Sequence, residues 1–146
     1  MNEEQKQILF KDLCGRLPYK VKVQVLNDST YTNPLELMGI DYSKGLVKLG
    51  DNIGGMYFTH QEKIENVKLY LRPMSSMTQE EKKTYNSFIY HFEGNNLPDY
   101  EGDFVYANES HELVDWLNEN HFDYQVLVFK GLALEAPEGM YKAMGE

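Results

Sequence analysis

The sequence predicts an α+β fold: an N-terminal helix, a five-strand bent antiparallel sheet or SH3-like barrel, and two to three packed C-terminal helices. Three observations predict it. Apolar residues recur at helical spacing near the N-terminus and again after residue 78. They alternate with polar residues between residues 19 and 71, and Gly-, Asn- or Pro-containing turns separate the alternating stretches. The 146 residues, 42% of them apolar, are enough for one domain with a core of its own.

The first helix has a start signal, an apolar side and a stop signal. Asn2 is expected to cap it, with Gln5 as the reciprocal partner three residues later. Pro18 is expected to end it. Cys14 falls on the predicted apolar side, so we expect a small core residue rather than a reactive thiol. The apolar side is defined by leucines at i, i+4 and i+8: Leu9, Leu13 and Leu17.

Five short strands are predicted between this helix and residue 72. Three valines alternate with Lys and Gln in the first of them, which gives it one apolar face. Gly39 is a candidate bulge in the second strand. Turns are predicted at 27–29, 43–45 and 51–55. The predicted strands are 19–25, 35–40, 46–49, 56–58 and 67–71.

Pro73 and the serines after it mark a boundary, because proline cannot donate to a strand ladder. We therefore divide the chain into residues 1–72, with the helix and sheet, and residues 73–146, an acidic helical region packed on the first part as one compact unit. Thr78 and Glu81 form a capping box that starts a second helix. The apolar face of this helix is expected to contain Tyr85, Phe88, Ile89 and Phe92.

The last third of the chain predicts a third helix, from a cap at Asn108 to about His121. Asp123 is expected to cap a further short helix through Phe129, with Gly131 as its left-handed stop. Residues 132–134 fit a final short strand. The buried side of the third helix is expected to consist of Leu113, Val114, Trp116 and Leu117.

Charge is distributed unevenly along the chain. Residues 1–72 carry a net charge of +1 and residues 73–146 carry −10, which together give the net charge of −9. Between Glu93 and Asp123 there are nine carboxylates and no Lys or Arg. Such a field favours a protein partner with a basic surface, and we expect no direct binding of nucleic acid. The candidate binding surface consists of Asp99, Glu101, Asp103, Glu109, Glu112, Asp115 and Glu119.

No catalytic motif is present, and each candidate for chemistry has a simpler interpretation. His111, Asp115 and Glu119 follow helical spacing and are competent metal ligands, yet the same spacing describes a solvated helix face. Asp99, Glu101 and Asp103 resemble paired acid–base carboxylates but lie in a glycine-containing loop. We therefore predict no catalytic residues, no metal site and no cofactor, although whether the chain is an enzyme stays open.

Targeting signals are also missing from the sequence. The N-terminus lacks a signal-peptide pattern, no apolar run approaches the length of a membrane span, and the single cysteine excludes an internal disulfide. A cytoplasmic protein without membrane association is expected.

Several segments resemble a group of uncharacterised small proteins from gut Bacteroidales and from their phages and other mobile elements. The most distinctive is the run Leu-Arg-Pro-Met-Ser-Ser-Met at 71–77, and others lie at 12–19, 115–124 and 131–141. The group assigns no functional residues. The resemblance implies only a context, that of a small accessory protein encoded by a phage or a mobile element.

These observations together predict a non-enzymatic protein-binding accessory protein that uses an acidic C-terminal surface. Two alternatives stay open. One is a nucleic-acid mimic, whose ordered carboxylates imitate phosphates and inhibit a host nuclease or defence complex. The other is a metal-assisted hydrolase that uses His111 and neighbouring carboxylates.

Overall fold

A computed structural model describes residues 1–26, 33–53, 55–94 and 111–141. It has the predicted α+β layout. An N-terminal helix, α1 (Glu3–Arg16), precedes a sheet, and two helices follow: α2 (Gln79–Gly94) and α3, described over residues 111–119. Over the described residues the sheet has six strands rather than five, because the final short strand expected at 132–134 joins it. The strands are β1 (Lys22–Val25), β2 (Leu35–Asp41), β3 (Leu46–Ile53), β4 (Met56–Lys63), β5 (Val67–Leu71) and β6 (Ala133–Glu135).

The first five strands form an antiparallel sheet in the order β4-β3-β2-β1-β5. A 3-10 turn, Ile64–Asn66, carries the chain from β4 across to β5. The short sixth strand adds to β5 in parallel, so the sheet as a whole is mixed. Parallel neighbours need a long connection, and here that connection contains both C-terminal helices.

The lengths of β1, β3 and β4 differ from the predicted ones. β1 begins only at Lys22, because a 3-10 turn containing Pro18, Leu17–Tyr19, follows α1 and Lys20 adopts a left-handed φ of 56°. β3 and β4 are eight residues each and continue up to the hairpin turn. The predicted bulge in β2 is confirmed by a register shift between Leu37 and Gly39. The turn predicted at 27–29 lies outside the described residues.

Helix α1 starts at the predicted capping box: the Asn2 side chain accepts from the Gln5 amide at 2.8 Å, and the Gln5 side chain accepts from the Asn2 amide at 2.9 Å. Its buried stripe differs from the predicted one. Asp12 and Arg16 are buried with the leucines, whereas Cys14 is exposed. The prediction of Cys14 as a core residue is therefore wrong. Buried positions 9, 12, 13 and 16 follow the i, i+3, i+4, i+7 pattern, which turns residue 14 outward.

Two apolar clusters hold the elements together. The larger one packs α1 on the sheet and contains Leu9, Leu13, Val23, Leu49 and Leu69, all fully buried, together with Leu127, Leu132 and Ala133 from the C-terminal part. The smaller one packs α2 and α3 around Phe122. Its other members are Met74, Met77, Tyr85, Leu113, Trp116, Leu117 and Tyr124.

Helix α2 begins at the predicted Thr78–Glu81 capping box, in which the Glu81 amide donates to the Thr78 hydroxyl at 3.1 Å. Glu81 also accepts two hydrogen bonds of 2.7 Å from the Arg72 guanidinium at the end of β5. Hydrogen bonding to Arg72 lowers the pKa of Glu81. This bidentate pair fixes the start of α2 against the sheet.

The segment after α3 forms a chain of turns instead of the predicted short helix. The Asp123 carboxylate accepts hydrogen bonds from the Leu127 amide (2.7 Å) and the Val128 amide (3.1 Å), so it caps as expected but caps a turn. Gly131 has the predicted left-handed conformation, with φ 76°. The Asn108 cap predicted for α3 lies outside the described residues.

Candidate interaction surfaces

Three of the seven predicted acidic surface residues lie in the described part of the chain, on α3. Glu112 and Glu119 are exposed, and the Asp115 side chain is 51% exposed. Their spacing of three and four residues places them on one face of the helix. The remaining four predicted residues, Asp99, Glu101, Asp103 and Glu109, lie outside the described residues. We call Glu112, Asp115 and Glu119 the acidic row.

The opposite face of α3 is packed. Leu117 is 4% exposed, and the Trp116 ring lies 5.7 Å from the Phe122 ring and 6.1 Å from the Phe88 ring, measured between centroids. Because this packing fixes the rotation of the helix, the acidic row has a fixed outward direction. Within the described residues, the Asp115 carboxylate of this row lies 3.6 Å from the His111 Nε2 atom.

A buried ion pair that the sequence reasoning missed lies beneath the C-terminal segment. Arg16 and Asp12, 0% and 1% exposed, are joined by hydrogen bonds of 2.7 and 3.2 Å. Arg16 also donates to the Phe122 carbonyl oxygen at 2.8 Å, and Gln125 donates to Asp12 at 3.2 Å. Burial raises the pKa of Asp12, while the neighbouring Arg16 opposes that rise. This pair connects α1 to the segment that follows α3.

His121 and Tyr141 stack beside this ion pair, with ring centroids 3.8 Å apart. The Tyr141 hydroxyl accepts from the Lys22 amide at 2.9 Å and donates to the Tyr70 carbonyl oxygen at 2.8 Å. Burial, together with the positive charge of nearby Arg16, lowers the pKa of His121 to about 4. Tyr141 therefore fastens the C-terminal segment to β1 and β5. The neutral, enclosed imidazole stacked on it lacks the access that general acid–base catalysis requires.

Metal chemistry at the acidic row finds no further support in the geometry. His111 and Asp115 are near each other but largely exposed, with 77% and 51% of their side chains accessible. Among the described residues, no group of three or more His, Cys, Asp or Glu side chains could hold a metal ion. The predicted absence of catalytic and metal residues stays a prediction.

An exposed strand edge is the second surface, and the prediction of a three-residue fourth strand missed most of it. β4 lies at one end of the sheet, and within the described residues no strand pairs with its outer side. Met56, Tyr57 and Phe58 are 64%, 50% and 47% exposed, and Met38 of the bulge lies beside them at 41%. The sequence signal for an exposed edge was the run of three consecutive apolar residues, which do not alternate with polar ones.

The turn between the buried Leu127 and Gly131 is a third exposed apolar feature. Phe129 is 92% exposed, and Val128 is 37% exposed. Val126 precedes them with a left-handed φ of 52°, a strained conformation for a β-branched residue. Backbone hydrogen bonds close the turn, from Lys130 to Val126 at 3.2 Å and from Gly131 to Val128 at 3.0 Å.

Within the described residues, no helix combines the length and the apolar composition that a bilayer crossing requires.

Comparisons with known proteins return no match to a family model, to a curated protein or to a solved structure. A functional assignment therefore rests on the chemistry of these surfaces.

Proposed function

We propose that this chain is a non-enzymatic protein-binding protein, and that its partner presents a basic surface to the acidic C-terminal half. In keeping with the sequence resemblance, we further propose that it is a cytoplasmic accessory protein of a phage or mobile element. The observation that carries the binding proposal is the acidic row. Its three carboxylates, Glu112, Asp115 and Glu119, share the outward face of a helix whose other face is packed.

Electrostatics favours this function over nucleic-acid binding. The chain has a net charge of −9, and its C-terminal half has −10, so phosphate backbones are repelled and cationic surfaces attracted. Exposed ion pairs add little affinity each, but a one-signed surface accelerates association and selects against wrong partners. Binding through the acidic row should therefore depend strongly on salt.

The acidic row can be tested by charge reversal. The partner is first captured from host lysate with tagged protein, with and without nuclease, identified by mass spectrometry, and purified. Its association rate is then measured with the wild type and with the triple variant Glu112→Lys, Asp115→Lys and Glu119→Lys. We expect the rate to fall at least about tenfold at low salt, because the steering field is reversed.

A matched control variant carries the same change in net charge elsewhere. Glu4, Glu135 and Glu138 are exposed and lie outside α3, and their triple replacement by Lys should leave most of the association rate intact. A second variant adds reversal of Asp99, Glu101 and Asp103. If neither the α3 variant nor this extended one weakens binding while the circular dichroism spectrum stays native, the proposal is wrong.

The narrower alternative, a nucleic-acid mimic, uses the same acidic surface and differs in its partner. A mimic occupies a groove that otherwise holds DNA or RNA, so an added duplex should compete with the chain for the purified partner. Binding that resists a large excess of duplex at constant salt would exclude mimicry and leave the broader proposal standing.

A further inference from the structure

Strand β4 leaves four residues with outward-facing backbone groups. Opposed residues in an antiparallel pair alternate between hydrogen-bonded and non-bonded pairs. The Ile64 amide donates to the Gly45 carbonyl oxygen at 3.0 Å, and the register runs without a shift from Leu46↔Lys63 to Ile53↔Met56. The backbone N–H and C=O groups of the even-numbered residues of β4 therefore point toward β3. The outward N–H and C=O groups belong to Tyr57, Thr59, Gln61 and Lys63, and the Lys63 amide donates to the Glu62 carboxylate at 3.1 Å within its own chain.

In the part of the chain that the structure describes, the N-terminal half of this edge has none of the usual protection against strand addition. Natural edge strands carry Pro, Lys or a bulge, or are very short. β4 is eight residues long, contains no Pro, pairs with β3 without a bulge, and has no charged residue before Glu62. The exposed Met56, Tyr57 and Phe58 add apolar area on both faces of the strand. An edge with these properties selects an extended strand as its occupant, because only a strand satisfies alternating backbone groups.

We propose that the occupant is β4 of a second copy of this chain, which forms a two-fold symmetric dimer with a continuous twelve-stranded sheet. A dimer with a two-fold axis pairs identical strands antiparallel. One register brings all four outward-facing residues of each copy into bonded pairs: Tyr57 lies opposite Lys63 of the second copy, and Thr59 lies opposite its Gln61. Each bonded pair exchanges two hydrogen bonds, so the two Thr59–Gln61 pairs form about four backbone hydrogen bonds. The two Tyr57–Lys63 pairs add up to about four more, for which the Lys63 amide exchanges the Glu62 carboxylate for the second copy.

Side-chain charges are compatible in this register. Lys63 lies opposite Tyr57 of the second copy, whose ring extends away from the edge toward Met38, and Glu62 lies opposite Phe58, so no like-charged side chains lie directly opposite each other. Thr59 and Gln61 are exposed and uncharged. Only His60 lies opposite its own copy, at the two-fold axis. Charge complementarity therefore permits self-pairing despite the net charge of −9, because the acidic row lies on α3 and outside β4.

Disulfide trapping tests the register. In a Cys14→Ser background, which removes the native thiol, His60→Cys places two sulfurs across a non-bonded pair with Cα atoms about 4.5 Å apart, within disulfide range. The control, Lys63→Cys, places its two sulfurs about 20 Å apart across the axis, six residues at ~3.3 Å each. We expect His60→Cys to cross-link under mild oxidation at least ten times faster than Lys63→Cys. Equal rates would overturn the register.

Sedimentation of the unmodified chain tests the dimer itself and does not depend on any variant folding. We expect the mass to rise from 17.0 kDa toward twice that value between low and high micromolar concentration. A monomer throughout the range overturns the proposal.

Two charge variants, both at exposed positions, then test the surface. Thr59→Lys with Gln61→Lys opposes like charges across the interface and should give monomers, whereas Thr59→Lys with Gln61→Glu should retain the dimer. Identical behaviour of the two variants would contradict pairing through β4.

Discussion

At the scale of single residues, His121 combines burial, positive neighbours and a left-handed backbone. It is 3% exposed, has φ 63°, and stacks on Tyr141. Its Nδ1 atom is buried without a hydrogen-bond partner among the described residues. These features hold the imidazole in its neutral form, because a proton on it would be desolvated and repelled by Arg16 and Arg72.

Folding stability should therefore fall as the pH decreases from neutral toward 5. The unfolded chain takes up a proton on His121 near its ordinary pKa of 6.5, whereas the folded chain does so only near 4. Between these values the unfolded state binds more protons, so stability is lost as pH falls through this window. We expect a loss of about 2 kcal/mol in the free energy of unfolding between pH 7 and pH 5 from this residue. Urea titrations at several pH values measure it.

The variant His121→Phe serves as the control, because it keeps an aromatic ring against Tyr141 and does not titrate. Other groups, such as Glu81 with its lowered pKa, contribute equally to both proteins. The difference between wild type and variant should therefore isolate His121. If the two proteins lose the same stability over this range, His121 is not held neutral by the fold.

The burial of single residues in α1 could not be predicted from the sequence near them. Arg16 and Asp12 have the i, i+4 spacing of an ordinary surface pair, and charged residues are almost never fully buried unless paired. The pair is buried because the segment around Phe122 and Gln125 covers it, more than a hundred positions later in the chain. No local pattern carries that information. Cys14 was misplaced for the same reason: the buried stripe of α1 passes through Asp12 and Arg16, not through Cys14.

At the scale of elements, the sequence predicted the features that depend on residues close together in the chain, such as helix caps and turns. Both capping boxes form as expected, since their hydrogen bonds join residues only three positions apart. The left-handed Gly131 follows from glycine's conformational range. The length of β4 was not predicted, because its residues are largely exposed and lack a two-residue alternation of apolar side chains. Edge strands satisfy their backbone through a neighbour, and the sequence of the strand alone does not reveal that neighbour.

The turn after Asp123 stores strain that a substitution should release. Val126 adopts φ 52° while 55% of it is exposed. Its left-handed backbone conformation therefore costs free energy that the small burial of its side chain does not offset. Asn visits this region more readily, and the penalty for other L-residues is roughly 1–2 kcal/mol. We expect Val126→Asn to raise the free energy of unfolding by about 1 kcal/mol. Guanidinium denaturation, with an unchanged m-value, is the measurement.

Val128→Asn is the matched control, because Val128 is in the same turn, is 37% exposed, and has no positive φ. This substitution should be neutral or slightly destabilising. A stabilisation of similar size at both positions would mean that polarity of the turn, and not backbone strain, is responsible.

At the scale of the whole molecule, the two halves of the sequence are tied together by backbone pairing. The Arg72 amide donates to the His121 carbonyl oxygen at 2.7 Å, and the Asp123 amide donates back to Arg72 at 2.8 Å. β6 pairs with β5, and Leu127 and Leu132 enter the core beneath the sheet. The predicted helical region therefore contributes a strand and core residues to the sheet itself.

Unfolding should consequently be one cooperative transition. Trp116, the single tryptophan, lies in the smaller cluster and reports on α2 and α3, whereas far-UV circular dichroism reports on the whole backbone. Phe122 links the clusters, because its carbonyl oxygen accepts from Arg16 of α1 and its ring lies 4.2 Å beneath the Arg72 guanidinium. Loss of the smaller cluster would leave Arg16 and Asp12 open to solvent and remove Leu127 from the core. We expect the fluorescence and circular dichroism transitions in urea to coincide in midpoint and slope. A fluorescence midpoint clearly below the circular dichroism midpoint would instead show that residues 73–146 unfold separately from the sheet.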